Sequence, residues 1–260
     1  MRNSKVLRKI RAGEVVKVAT ISRFPEGWLA ELTGRLGYDA VWLDLEHRPF
    51  GYDAIEDVSL GCRATDQDLM VRILKTGYHS PMRALEMGAN GIMVPHCMSA
   101  AEARQWAEWV RFPPLGRRGF DGAGADTDYL LADTFEYLKH ANTETFLALQ
   151  IEDREAVECV DEIAAVEGVD LLFVGPGDLS LSYGIPFQSG HATMRAAIAR
   201  VANAAAKHGK AWGIATGDVA NAQQYVDQGA QMVTSGNDLV AVVEGFQRAW
   251  EEYKALKTGK

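Results

Sequence analysis

The chain has 260 residues, 47% of them hydrophobic and 24% charged, enough to bury a sizeable core as one domain without disulfides. Its formal net charge of -8, with no Lys/Arg run interleaved with aromatics, excludes the electrostatic footprint of a nucleic-acid binder. Three scattered cysteines, Cys62, Cys97 and Cys159, without CxxC spacing argue against a disulfide framework or structural zinc, and no run of ~20 apolar residues predicts a membrane span. The basic start, MRNSKVLRKIRAGE, lacks the apolar stretch of a signal peptide, and a cytoplasmic protein is expected.

In chain order, a β-branched run at 15–22 is followed by an amphipathic stretch at 26–36, and the pair then repeats. Further strands are predicted at 40–45, 68–73, 91–94, 145–151, 171–174, 211–214 and 232–235. Helices are predicted at 52–64, 80–87, 100–110, 156–164, 193–208, 219–228 and 239–256. Gly37, Gly88, Gly168, Gly209 and Gly229 each fall between a helical stretch and the next strand, where a left-handed helix end is wanted. Eight βα units in ~250 residues predict an α/β fold, a single (β/α)8 TIM barrel spanning residues 1–260. The irregular segment 111–128, RFPPLGRRGFDGAGADTD, is expected to be a lid or a wall of the site.

A barrel of this kind carries its site at the C-terminal strand ends, so the polar residues there are the candidates. Strand two exits through Asp44-Leu45-Glu46-His47-Arg48, strand three through Arg72, strand four through His96, strand five through Gln150 and Glu152, and strand six through Gly175, Gly177 and Asp178. Glu152 and Asp178, at adjacent exits, suit a hard divalent cation, since two converging carboxylates need neutralising. Solvated loop acids, or a cap at Asp178, are the alternative. Side-chain alternation turns Gln150 the same way as Glu152. Asp44 and His47 form a candidate carboxylate–imidazole pair for general base chemistry, and Glu46 faces either inward with Asp44 or outward to Arg48. Arg72 ends an apolar strand, where a cation needs an anionic partner: a substrate oxygen, or Glu46 or Glu152. His96 and Cys97 are read as packing behind the site rather than as part of its chemistry. No predicted strand ends in a lysine, which disfavours Schiff-base chemistry and favours metal-assisted enolisation.

The phrases YDAVWLDLEHRPF, GANGIMVPHCMSAAEAR, RFPPLGRRG, LALQIEDREAVE, VEGVDLLFVGPGDLSLSYG and GKAWGIATGD, in that order along nearly the whole chain, resemble the HpcH/HpaI aldolase family of class II pyruvate aldolases. That resemblance implies a metal-dependent lyase cleaving a 4-hydroxy-2-oxo acid to pyruvate, or hydroxypyruvate, and an aldehyde. It implies Glu152 and Asp178 as ligands of Mg2+, Mn2+ or Co2+, and Arg72 as enolate stabiliser. It further implies His47 with Asp44 as catalytic dyad, Gln150 beside the metal, and Gly175 and Gly177 as backbone donors to the pyruvate carboxylate. A homo-hexamer that exchanges the helix near 239–256 is also implied. Acids Asp121 and Asp126 in the long loop argue against an anionic aldehyde, while Arg23 offers a compensating positive contact. The rival readings are a citrate-lyase-β-like acyl-CoA lyase, a phosphate-binding barrel isomerase suggested by GIATGD and VTSGND, and a non-catalytic oxo-acid-binding homologue.

Overall fold

A computed structural model describes residues 2–257. Eight parallel strands close in chain order into a barrel: β1 (Val16–Ile21), β2 (Ala40–Asp44), β3 (Asp68–Arg72), β4 (Gly91–Val94), β5 (Phe146–Ile151), β6 (Leu171–Val174), β7 (Ala211–Ile214) and β8 (Met232–Asn237). The outer layer comprises α2 (Gly27–Arg35), α3 (Tyr52–Ala64), α4 (His79–Glu86), α5 (Ala100–Val110), the short α7 (Arg154–Glu158) and α8 (Val160–Ala164), α10 (Ala192–Lys207) and α11 (Val219–Val226). Each predicted strand is present, and its period-2 pattern decides which side chains fill the barrel and which meet the helices. Val16, Val18, Trp42, Met70, Met93, Phe146, Ala148 and Phe173 form the interior. Val41, Leu43, Leu69, Val71, Leu147 and Leu149 pack outward under the helices.

Three helices depart from the sequence expectation. α1 (Lys5–Arg11) plugs the bottom of the barrel with Val6 and Leu7, and Asp68 anchors it by accepting the Ser4 hydroxyl at 2.6 Å and the Val6 amide at 2.8 Å. At seven residues it is too short to show a helical period in sequence. α6 (Thr134–Glu144) precedes β5, and α9 (Pro176–Ser182) begins directly after β6 with Pro at its start, where a missing N–H costs nothing.

The segment 111–133 is not a lid over this chain's strand ends. It follows the C-terminus of α5, so it belongs to a helix-to-strand connection at the bottom of the barrel. Arg63, in the last turn of α3, donates to the Ala125 carbonyl at 3.0 Å, and buried Arg118 pairs with Asp126 at 2.6 Å. α12 (Asp238–Tyr253) was expected to bury a broad apolar stripe, yet none of its residues is buried; Phe246 is 75% and Trp250 62% exposed.

Candidate active site

The side-chain parity that fills the barrel with Trp42, Met70, Ala148 and Phe173 continues upward to Asp44, Arg72, Gln150 and Gly175, so these four positions crown the core. Register sets Asp44 directly beside Arg72. The guanidinium binds the Asp44 carboxylate through two contacts, Nε to Oδ1 at 3.0 Å and Nη2 to Oδ2 at 2.9 Å, and Nη1 lies 3.0 Å from Glu46 Oε2. Its face stacks on Trp42, 4.9 Å from the ring centroid. Burial pushes the Asp44 carboxyl up, but the Arg72 hydrogen bonds and charge, with the His47 amide, outweigh it and hold the acid below its ordinary value. Glu46 therefore faces inward. Its buried Oε2 sits off the Arg72 N–H direction and has no hydrogen-bond partner among the described residues, so the contact is ionic only.

Glu152, 1% exposed, is the most deeply buried acid of the mouth. Gln150 Nε2 donates to its Oε2 at 2.5 Å, and the His96 amide donates to its Oε1 at 2.9 Å. Burial pushes this carboxyl up to about 7, and the His96 amide and the charges of His96 and Arg72 offset that only in part. Gly175 closes over it: a Cβ there would collide with Glu152 Oε2 and Gln150 Nε2, so only glycine lets the β6 exit approach the acid this closely. Three residues on, Asp178 lies half-buried in the first turn of α9 with no hydrogen bond or ion pair among the described residues. A desolvated carboxylate raised toward neutrality, with an unspent aspartate just past the exit of the adjacent strand, fits a hard divalent cation that keeps several water or substrate oxygens. Among the described residues no three His, Cys, Asp or Glu side chains converge as a ready metal cage.

One predicted contact needs correction. The Asp44 carboxylate does not hold the His47 ring: the turn after β2 folds the Glu46 and His47 amides back onto Asp44 Oδ1, at 3.0 and 3.4 Å, and the ring lies instead 3.6 Å from Glu46 Oε2 with its side chain 52% exposed. His96 lies behind Glu152 and holds it. Register sets Val94 opposite Leu149, which brings His96 level with the β5 exit. There, in a left-handed backbone conformation (φ 46°), it holds Glu152 by its amide, and its Nδ1 lies 2.8 Å from Asp153 Oδ2. The sequence places Asp153 at the same strand exit but assigns it no role. The only sequence signal for the group is that adjacent exits carry a histidine and consecutive acids.

An open cavity of about 520 Å3 extends from Asp44, His47 and Arg72 across the exits of β7, β8 and β1, along Thr216, Asn237 and Ser22. Arg23 is exposed and does not line it. The helix ends there are already capped by the chain itself. Asp218 accepts the Asn221 amide at 2.8 Å on α11, and Asn237 accepts the Leu239 and Val240 amides at 3.0 and 3.2 Å on α12, so the chain's own side chains compete with a phosphate for these amides. Lys75, past β3, is paired with Glu102 at 2.6 Å and does not line the cavity, so it is not placed as a Schiff-base nucleophile.

The family model described as HpcH/HpaI aldolase/citrate lyase matches residues 26–244. The chain is similar to a hydroxypyruvate/pyruvate aldolase of Paraburkholderia phytofirmans, 33% identical over 87% of this chain and 88% of that one. It is also similar to a 2-keto-3-deoxy-L-rhamnonate aldolase of Klebsiella pneumoniae, 31% identical over 88% and 85% of the two chains. The crystal structure of an HpcH/HpaI aldolase from Desulfitobacterium hafniense matches with a TM-score of 0.92 at 29% identity, covering 98% of both chains.

Proposed function

The chain belongs to the HpcH/HpaI aldolase/citrate lyase family, and from that and the barrel mouth we propose an aldolase that reversibly cleaves a 4-hydroxy-2-oxo acid to pyruvate, or hydroxypyruvate, and an aldehyde. The observation that carries this is the buried Glu152 carboxylate, raised to about 7 and roofed by Gly175, facing the same mouth as the Asp44–Arg72 pair. Glu152 and Asp178 would hold Mg2+, Mn2+ or Co2+, which supplies Lewis-acid polarisation of the 2-oxo group. Gln150 fixes the Glu152 carboxylate, and the backbone at Gly175 and Gly177 receives the substrate carboxylate.

Arg72, held rigid by Asp44, Glu46 and Trp42, offers a pre-oriented guanidinium to the charge that develops on the enolate oxygen. His47 takes the proton of the 4-hydroxyl; the C3–C4 bond breaks, the aldehyde leaves, and the electron pair remains on the pyruvate enolate until C3 is protonated. In the reverse direction His47 returns the proton to the new alkoxide. The exposed apolar face of α12 supports exchange of this helix between subunits of a homo-hexamer. Three free thiols, Cys62, Cys97 and Cys159, and no described helix long and apolar enough to cross a membrane, support a cytoplasmic location. Incubation of Mn2+-loaded protein with a panel of 4-hydroxy-2-oxo acids should release pyruvate. Absence of pyruvate from every member would refute the reading.

A further inference from the structure

The cavity holds a second guanidinium that the chemistry above leaves unused. Arg48 follows His47 directly, is half-buried and lines the cavity on its β1–β2 side. Its Nε donates to the Ser22 carbonyl at 2.5 Å and its Nη1 to the His47 carbonyl at 2.8 Å. Carbonyls orient a guanidinium without neutralising it, and among the described residues no carboxylate lies within 4 Å of Arg48. The half-buried or buried Arg63, Arg72, Arg111 and Arg118 each have an acid partner. In a chain of net charge -8, an arginine pinned in a cavity and left without a counter-ion is an anion receptor in waiting.

Its platform is rigid. Ser22 Oγ donates to Asp238 Oδ1 at 3.0 Å and accepts from Asn237 Nδ2 at 3.1 Å, which fixes the strand exit whose carbonyl holds the guanidinium. Glu244 lines the same cavity, but it sits exposed on α12, where solvent screens it more than it screens Arg48. Position along the substrate follows from the layout of the site. The 2-oxo-acid head belongs at the β5 and β6 exits with Glu152 and Gly175, and the 4-hydroxyl at His47 on the β2 exit. The carbons beyond C4 therefore run onward over β1, past Arg48. Asp121 and Asp126, the sequence argument against an anionic aldehyde, lie on the connection after α5 at the other end of this chain's barrel, with Asp126 spent on Arg118 and Tyr137.

We propose that Arg48 selects the aldehyde by binding a carboxylate at the far end of the substrate, so that the preferred substrate is a 4-hydroxy-2-oxo dicarboxylic acid and the aldehyde a short semialdehyde acid. The assignment rests on the aldolase reading. Its test is aldol addition of pyruvate to matched aldehydes with and without a terminal carboxylate: glyoxylate against acetaldehyde, and succinic semialdehyde against butyraldehyde. The native protein should prefer one or both carboxylate-bearing aldehydes at least tenfold in kcat/KM. Arg48→Gln should cut that ratio by about 10- to 100-fold, chiefly through KM, and Arg48→Lys should recover part of it, since charge returns without the planar fork. A native enzyme without this preference, or an Arg48→Gln loss equal for both classes as expected of a residue that only braces the His47 turn, would overturn the assignment and leave the aldolase reading intact. Failure to form a carbon–carbon bond with any aldehyde would refute the aldolase reading and the assignment together.

Discussion

Gly175 and Gly177 stand two residues apart at the β6 exit, and replacing each with alanine should have opposite effects. Gly175 has φ -93° and ψ 88°, which alanine tolerates, so the cost of Gly175→Ala is purely steric: its Cβ would run into Glu152 Oε2, Glu152 Cβ and Gln150 Nε2. Overpacking of this kind costs about 1–3 kcal/mol. At roughly 2–4 °C per kcal/mol for a chain of this size, the metal-free protein should melt about 2–12 °C lower. Because the displaced atoms belong to the acid assigned to the cation, Mn2+ affinity by isothermal titration should fall ~10- to 100-fold. Gly177 is different: a Cβ there meets nothing within 4 Å, and the residue lies inside α9, so Gly177→Ala should hold or raise the melting temperature, by about 0.5–1 kcal/mol in helix preference. If Gly175→Ala melted with the native protein and bound Mn2+ as tightly, the close approach of β6 to Glu152 would not be what shapes the metal site.

Removing Arg72 and His47 should fail differently: Arg72→Lys should depress aldol cleavage and oxaloacetate decarboxylation alike, whereas His47→Ala should lose ~10²- to 10⁴-fold in cleavage and far less in decarboxylation, which needs no base at a hydroxyl. Parallel losses in the two reactions for His47→Ala would contradict its role. Glu152 gives a pH signature. Its folded value of about 7 lies above the ordinary 4.5, so the metal-free folded chain binds the proton more tightly than the unfolded chain and loses stability as pH rises through that window. The slope should be missing in Glu152→Gln, and native Mn2+ affinity should climb with pH and level off above about 7, since the cation requires the ionised carboxylate. A native chain whose metal-free melting temperature rose more steeply than that of Glu152→Gln between those values would reverse the assignment. Light scattering should return a hexamer at micromolar concentration, and a monomer would mean that α12, with Phe246 and Trp250 bare, is covered by something other than a second copy.

What the sequence determined by itself is whatever depends on local period. The alternation of runs such as Leu171–Val174 with helical stretches set the eight-stranded barrel, because strand parity and helix period are properties of neighbours along the chain. The same parity was enough to turn Asp44, Arg72, Gln150 and Glu152 into the mouth. Which atom meets which was not legible, since it depends on register and turn geometry between segments far apart in the chain. Only the folded turn after Asp44 shows its carboxylate spent on Arg72 and two amides, with the His47 ring left to Glu46. Only the β4–β5 register brings His96 onto Glu152 and Asp153. The end of the barrel at which segment 111–133 lies was settled by the direction of α5, and only the folded chain shows that α12 buries none of its residues. Composition gave a net charge of -8, but whether a particular arginine is neutralised is a matter of a few ångströms, and for Arg48 only the tertiary structure decides it.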